Sequence, residues 1–158
     1  VDIYLPDFKY ISPALSAKYS HAPDYADVAK AAVAEMVRQC PRPVFDGDEA
    51  EDPIEEGLLM RQGVIVRHLL LPGCTRDSKA VIKYLYETYG NQIYLSIMNQ
   101  YTPLENVSAY PELNRKVTDE EYEEVVDYAI GLGVEQGFIQ EGETAKESFI
   151  PAFDGEGV

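Results

Sequence analysis

The chain has 158 residues, 46% of them apolar, which is enough to form the core of one domain. Its net charge of −15 at pH 7 argues against nucleic acid and anionic membranes as partners, because both repel an acidic protein. No apolar run is long enough to span a membrane, and the two cysteines, Cys40 and Cys74, lack metal-ligand spacing. We therefore expect a reduced, cytoplasmic setting, with a disulfide as the alternative.

Residues 1–5 have the pattern of a β-strand, and we expect further strands of the same sheet to precede them. Asp7 and Lys9 follow this strand and alternate with Phe8, so both side chains can lie on one side of an extended segment. Ligands of α/β proteins bind at the carboxyl ends of strands, which makes Asp7 and Lys9 candidate binding residues. A surface ion pair or a turn is the alternative.

Two helices and an acidic loop are predicted next. Ser12 and Pro13 are typical of a helix start and predict a short helix. A longer helix is predicted from about Asp24 to Cys40, with an apolar stripe that makes Cys40 a core residue. Residues 46–57 are rich in Asp and Glu but lack the spacing of a calcium-binding loop, so we expect a solvated loop.

The run from Val64 to Leu71 is apolar and rich in β-branched residues, and Pro72 and Gly73 close it with a turn signal. This pattern predicts a buried parallel strand at the centre of the domain. Arg67 interrupts the run, and a cation there needs a carboxylate from the protein or from a ligand. His68 points to the opposite face of the strand, and we expect it to pack in the core.

A helix that ends at Gly90, expected as its left-handed cap, leads into a strand from Ile93 to Met98. At the end of this strand, Asn99, Gln100 and Tyr101 place two amides and a phenol where ligands would dock. Hydrogen bonding within the loop is the alternative. The long loop that follows is expected to be a lid, a binding loop or a packed cover.

The last helix is predicted to begin with a capping box formed by Thr118 and Glu121, and to end at Gly131 and Gly133. A short final strand precedes an extended tail, residues 141–158. The order of elements is therefore strand, helix, strand, helix, strand, helix, strand.

This repetition predicts a single α/β domain, residues 1–158, with a parallel sheet and right-handed crossovers. Three strand–helix units are too few to close a barrel. The expected architecture is therefore a partial (β/α) barrel.

Several stretches of the chain resemble the radical S-adenosylmethionine (SAM) enzymes that activate pyruvate formate-lyase. Residues 1–9 contain Asp-x-Lys after a strand, and residues 65–73 contain an Arg in the strand and Pro-Gly after it. Residues 96–103, 111–115 and 137–142 extend the resemblance over essentially the whole chain. It implies roughly the second half of a (β/α)6 radical SAM barrel.

The resemblance also implies SAM as a cofactor. Arg67 and Lys9 would hold its methionyl end, because a guanidinium fork meets a carboxylate in two parallel bonds, and Leu69 would lie near the adenine. By matching motifs, the cofactor-binding residues would lie at three strand ends: Asp7, Lys9, Arg67, Leu69, Asn99, Gln100 and Tyr101.

Enzymes of this family hold a 4Fe-4S cluster with a CxxxCxxC motif, which Cys40 and Cys74 cannot form. The resemblance therefore implies the carboxyl-terminal half of such an enzyme, without catalytic or metal-binding residues of its own. The parent protein would be an oxidoreductase that acts on a glycyl-radical enzyme or on a small molecule. The fragment alone should be inactive, because the cofactor carries the chemistry.

A free-standing α/β module that binds an anionic metabolite or a protein partner is the alternative. A hydrolase is a third reading, but no paired carboxylates and no nucleophile–His–acid set support it. A partial sheet also exposes its first strand, so we expect this edge to be covered by self-association or by rearrangement.

Overall fold

The computed structural model describes residues 2–46, 59–101, 103, 110–141 and 144–145. Its helices are α1, Pro13–Ser20; α2, Tyr25–Gln39; α3, Thr75–Tyr89; and α4, Asp119–Leu132. Its strands are β1, Ile3–Tyr4; β2, Val44–Phe45; β3, Met60–Leu69; β4, Tyr94–Met98; β5, Gly137–Glu141; and β6, Thr144–Ala145. Short 3-10 turns occupy Gly90–Gln92 and Pro111–Leu113.

One sheet connects all of these strands, in the order β1-β3-β4-β5-β6, with β2 paired to β3. The strands β1, β3, β4 and β5 are parallel neighbours and are the four that the sequence predicts. The short strands β2 and β6 are antiparallel to their neighbours and are not predicted. In the described part of the chain the sheet is mixed and does not close on itself, so the half-barrel stays a prediction.

The helices cover one face of this sheet. Val64 and Val66 of β3 and Leu70 just after it point to that face, because side chains along a strand alternate, and all three are fully buried. The core also contains residues of β4 and of three helices: Leu95, Ile97, Val33, Val37, Val81, Ile82, Leu85, Tyr122, Val125 and Ala129. Cys40 belongs to the same core, as predicted.

Local sequence signals account for the starts of α1 and α4. The Ser12 side chain accepts a hydrogen bond from the Leu15 N–H, and Pro13 follows it at the first helical position. At α4, the Thr118 hydroxyl accepts the Glu121 N–H while the Glu121 carboxylate accepts the Thr118 N–H. Both predicted caps are therefore confirmed.

Two predicted helix ends need correction. Helix α4 continues through Gly131 to Leu132, and only Gly133, with a φ of 103°, forms its left-handed cap. Gly90 has a φ of 53° but a ψ of −121°, which lies outside the left-handed helical region. The chain instead continues from Gly90 into a 3-10 turn.

Most of the acidic loop and of the tail lies outside the described residues. Among the described helices, none combines the length and the apolar character needed to cross a membrane.

Candidate functional site

An ion pair between Asp7 and Arg67 lies just beyond the end of β1, where the chain still runs beside β3. Backbone hydrogen bonds from Arg67 N–H to Pro6 O, 2.8 Å, and from Phe8 N–H to Arg67 O, 2.9 Å, set the two residues next to each other. The Arg67 Nε donates to Asp7 Oδ1 at 2.7 Å. The protein itself thus supplies a carboxylate for Arg67, one of the two possibilities that the sequence left open.

This pair lies on the face of the sheet away from the helices, because its neighbours Phe8 and His68 are buried on the helix-covered side. The side chains of Arg67 and Asp7 are 31% and 45% exposed, so a molecule in solution can reach both. Leu69 lies on the same face as Arg67, one step nearer the carboxyl end of β3, and is half-buried.

The carboxyl end of β4 adds a polar atom at the same end of the sheet. Ser96 is the neighbour of Arg67 in the β3–β4 register and is buried. Asn99 follows the last residue of β4, and its Oδ1 is buried without a hydrogen-bond partner in the described structure. A buried acceptor of this kind carries a desolvation cost of about 1–3 kcal/mol that a donor would remove.

The remaining predicted site residues have other roles or no described contact with the pair. The backbone N–H of Lys9 donates to the Tyr25 hydroxyl at 2.9 Å, and its side chain is exposed. Gln100 is exposed as well. The Tyr101 hydroxyl donates to Leu113 O at 3.1 Å, and burial raises the pKa of this phenol. For Tyr101, the alternative of hydrogen bonding within the loop therefore applies.

His68 lies on the face of β3 opposite Arg67, in the core position that was predicted for it, and its ring holds the end of this strand in place. Its Nδ1 lies 2.8 Å from Phe8 O, and its Nε2 lies 2.8 Å from Ser78 Oγ. A carbonyl can only accept, so Nδ1 carries the proton and the neutral Nε2 accepts from the Ser78 hydroxyl. Burial lowers the pKa of His68, which favours this neutral form.

Asp77, at the start of α3, holds the loop that follows β1. Its carboxylate accepts the backbone N–H groups of Ile11 at 3.2 Å and Ser12 at 2.9 Å. Burial raises the pKa of Asp77, an effect that these hydrogen bonds oppose. No local pattern in the sequence could predict these contacts, because the partners of Asp77 lie more than sixty positions away.

The two cysteines do not form a metal site. Cys40 is buried in the core, whereas Cys74 lies in the turn after β3, and they do not form a disulfide, so that alternative is wrong. Burial raises the pKa of the Cys74 thiol, which disfavours the reactive thiolate. No group of three or more His, Cys, Asp or Glu side chains in the described residues could hold a metal ion.

A comparison with known proteins finds a distant relative. The chain is 26% identical over 133 residues to the uncharacterized protein MJ0674 of Methanocaldococcus jannaschii. The match covers 82% of this chain but only 31% of that protein, so the chain spans about a third of the relative's length. No family model and no solved structure matches the chain.

Proposed function

We propose that the chain is the SAM-binding, carboxyl-terminal part of a radical SAM iron–sulfur enzyme similar to glycyl-radical activating enzymes. The observation that supports this most is the position of Asp7 and Arg67. They form an accessible pair of opposite charges at the carboxyl ends of adjacent parallel strands, on the face of the sheet away from the helices. Ligands of parallel α/β sheets bind at such ends.

The pair is complementary to the amino-acid end of SAM. Arg67 bonds to Asp7 through Nε, and no described residue bonds to its Nη1 or Nη2. These two nitrogens can donate to the carboxylate of the ligand, while Asp7 accepts from its ammonium group. When SAM binds in this way, its carboxylate pairs with Arg67 and its ammonium group pairs with Asp7, so both protein charges keep a partner.

Other predicted residues fit the rest of the cofactor. Leu69 offers an apolar surface for the adenine beside the pair. The buried Oδ1 of Asn99 can accept from an amino group or a hydroxyl group of the nucleoside, which would remove its desolvation cost. Lys9 and Gln100 are exposed at the same strand ends, whereas Tyr101 can contribute only its ring while its hydroxyl bonds to Leu113.

The described residues do not fit a 4Fe-4S cluster, because Cys40 lies in the core and Cys74 is a single thiol in a turn. In this proposal the chain binds and orients SAM but does not cleave it, and the three cluster ligands are supplied by sequence outside this chain. The substrate of the parent protein would be a glycine of a partner enzyme or a small molecule.

Calorimetric titration of the chain with SAM tests the proposal. We expect Arg67→Gln to weaken binding by about 10- to 100-fold, the loss expected for charge-assisted hydrogen bonds. Arg61→Gln is the matched control, because Arg61 lies on the same strand and forms a 2.7 Å ion pair with Asp46 at the other end. No binding at millimolar SAM, or equal affinities for the two variants, would contradict the proposal.

One observation favours the alternative of a free-standing binding module. Asp7 already neutralises Arg67, so the pair satisfies itself without any ligand. A module for anionic metabolites would bind simple carboxylates as tightly as SAM, and Asp7→Asn would strengthen that binding by releasing the guanidinium. A SAM site would instead lose affinity in Asp7→Asn, because the ammonium group loses its partner.

A further inference from the structure

Residues 110–115 are here named the strap. The first half of the strap is attached to α1. The Glu112 carboxylate accepts a hydrogen bond from the Tyr19 hydroxyl at 2.8 Å and pairs with Lys18 Nζ at 2.8 Å. The ring of Tyr19 also meets the ring of Tyr110 edge-on, with centroids 5.1 Å apart. The strap is therefore joined to the helix that follows β1.

The middle of the strap is a single 3-10 turn. The Leu113 N–H donates to Tyr110 O at 2.9 Å, and the Asn114 N–H donates to Pro111 O at 3.0 Å. The Leu113 side chain is buried, and its carbonyl accepts from the Tyr101 hydroxyl. Tyr101 lies two residues beyond Asn99, so the middle of the strap is joined to the end of β4.

The end of the strap is attached to α4, which in turn bonds to the turn after β3. Arg115 donates from Nη1 to Glu121 Oε1 at 2.9 Å and from Nη2 to Glu121 Oε2 at 3.1 Å. The same carboxylate accepts the Gly73 N–H at 2.7 Å. Gly73, with a φ of 76°, lies in a turn closed by a hydrogen bond from Cys74 N–H to Leu71 O, immediately beyond β3. The strap thus contacts α1 and Tyr101 directly, and it is joined to the turn after β3 through Glu121.

The attachments at the two ends of the strap differ in their exposure to water. Lys18 and Glu112 have side chains that are 50% and 42% exposed, and an ion pair in such a setting is weak and is screened by salt. Glu121 is only 17% exposed and receives two parallel bonds from Arg115, a stronger arrangement. The attachment at Glu112 should therefore release first.

We infer that the strap is a hinged cover over the carboxyl ends of β1, β3 and β4, which opens at Glu112 and stays attached at Glu121. Glu112 and Glu121 are then positioning residues, because they hold the cover without touching the ligand. Its effect on ligand exchange rests on the proposed function, since the bound molecule would lie between the strand ends and the strap.

Hydrogen exchange of the ligand-free chain, resolved by residue, tests the hinge. We expect Glu112→Ala to accelerate exchange of the Leu113 and Asn114 amides by about two- to fivefold, the range given by loss of an exposed ion pair. The Gly73 amide should keep its rate. Glu35→Ala is the matched control, because Glu35 likewise accepts from two side chains, those of Arg38 and Gln39 on α2.

Unchanged exchange at Leu113 and Asn114 would overturn the release at Glu112. Equal acceleration at Gly73 would overturn the hinge, because the whole region would then open together. A second measurement, stopped-flow displacement of SAM, should show faster release from Glu112→Ala and wild-type release from Glu35→Ala. Equal release rates would overturn the cover while leaving SAM binding intact. If the wild type does not bind SAM, the proposed function fails, and the exchange rates alone decide the hinge.

Discussion

His68 shows how one buried residue makes the stability of this protein depend on pH. Because burial lowers the pKa of His68 in the folded state, the unfolded chain binds the additional proton more readily. This contribution to stability is complete above the unfolded pKa of about 6.5 and is lost as the pH falls below it.

We expect the free energy of unfolding to fall between pH 7.5 and pH 5, with a His68 contribution of at most about 1.4 kcal/mol per pH unit. His68→Gln should reduce this slope, although it also weakens the contacts with Phe8 and Ser78. Urea titrations at several pH values measure the slope. His21→Asn is the control, because His21 is exposed and adopts a left-handed conformation that Asn tolerates. Equal slopes in the wild type and in His68→Gln would contradict the assignment.

Gly73 and Gly131 should respond in opposite directions to the same substitution. An added Cβ meets no atom within 4 Å at either position, so only backbone effects remain. Gly73→Ala should destabilise the protein by about 1–2 kcal/mol, because its φ of 76° is unfavourable for residues with a side chain. Gly131→Ala, inside α4, should stabilise it by up to about 1 kcal/mol. Thermal unfolding of both variants checks the signs, and a stabilising Gly73→Ala would refute the strain argument.

At the scale of elements, α4 depends on the cap at its beginning. Thr118→Ala removes the hydroxyl that accepts the Glu121 N–H at 3.1 Å. We expect a loss of about 1 kcal/mol, as is usual for an N-cap, measured by urea unfolding. Thr118→Ser keeps the hydroxyl and should retain most of the stability. A loss of the same size in both variants would show that the hydroxyl is not the stabilising group.

Elements whose signals lie within a few residues could be predicted from the sequence. The capping box of Thr118 and Glu121 spans four positions, and His68 could be assigned to the core from its place in an apolar strand. The partner of Arg67 could not be identified, because Asp7 lies sixty positions away and only the register of β1 against β3 brings the two together. The sequence could state only that some carboxylate was required.

The antiparallel strands β2 and β6 escaped prediction for a different reason. Each has two residues, which is too short for an alternating pattern to be recognised. The same limit applies to the buried oxygen of Asn99, because its lack of a partner depends on how the whole strand end packs.

At the scale of the whole molecule, acidic residues dominate the electrostatics. The chain contains 28 Asp and Glu but only 13 Lys and Arg, so compaction brings like charges together. Raising NaCl from about 10 mM to about 150 mM shortens the Debye length from about 30 Å to about 8 Å and should screen this repulsion. We therefore expect the midpoint of thermal unfolding to rise with salt. A falling midpoint would show that the ion pairs outweigh the net charge.

The order of the parallel strands has a consequence for how the chain folds. Because β3, β4 and β5 each pair with the parallel strand that precedes them in the sequence, the sheet can grow in one direction during synthesis. Every strand–helix unit that leaves the ribosome finds its neighbour already in place, so each step closes a short loop at a small entropic cost. The longest of these steps joins β1 to β3, and only after it is complete can Arg67 meet Asp7. The charges that mark the candidate site are therefore brought together by the longest closure, and the later strands can be added to a sheet in which the two charges are already paired.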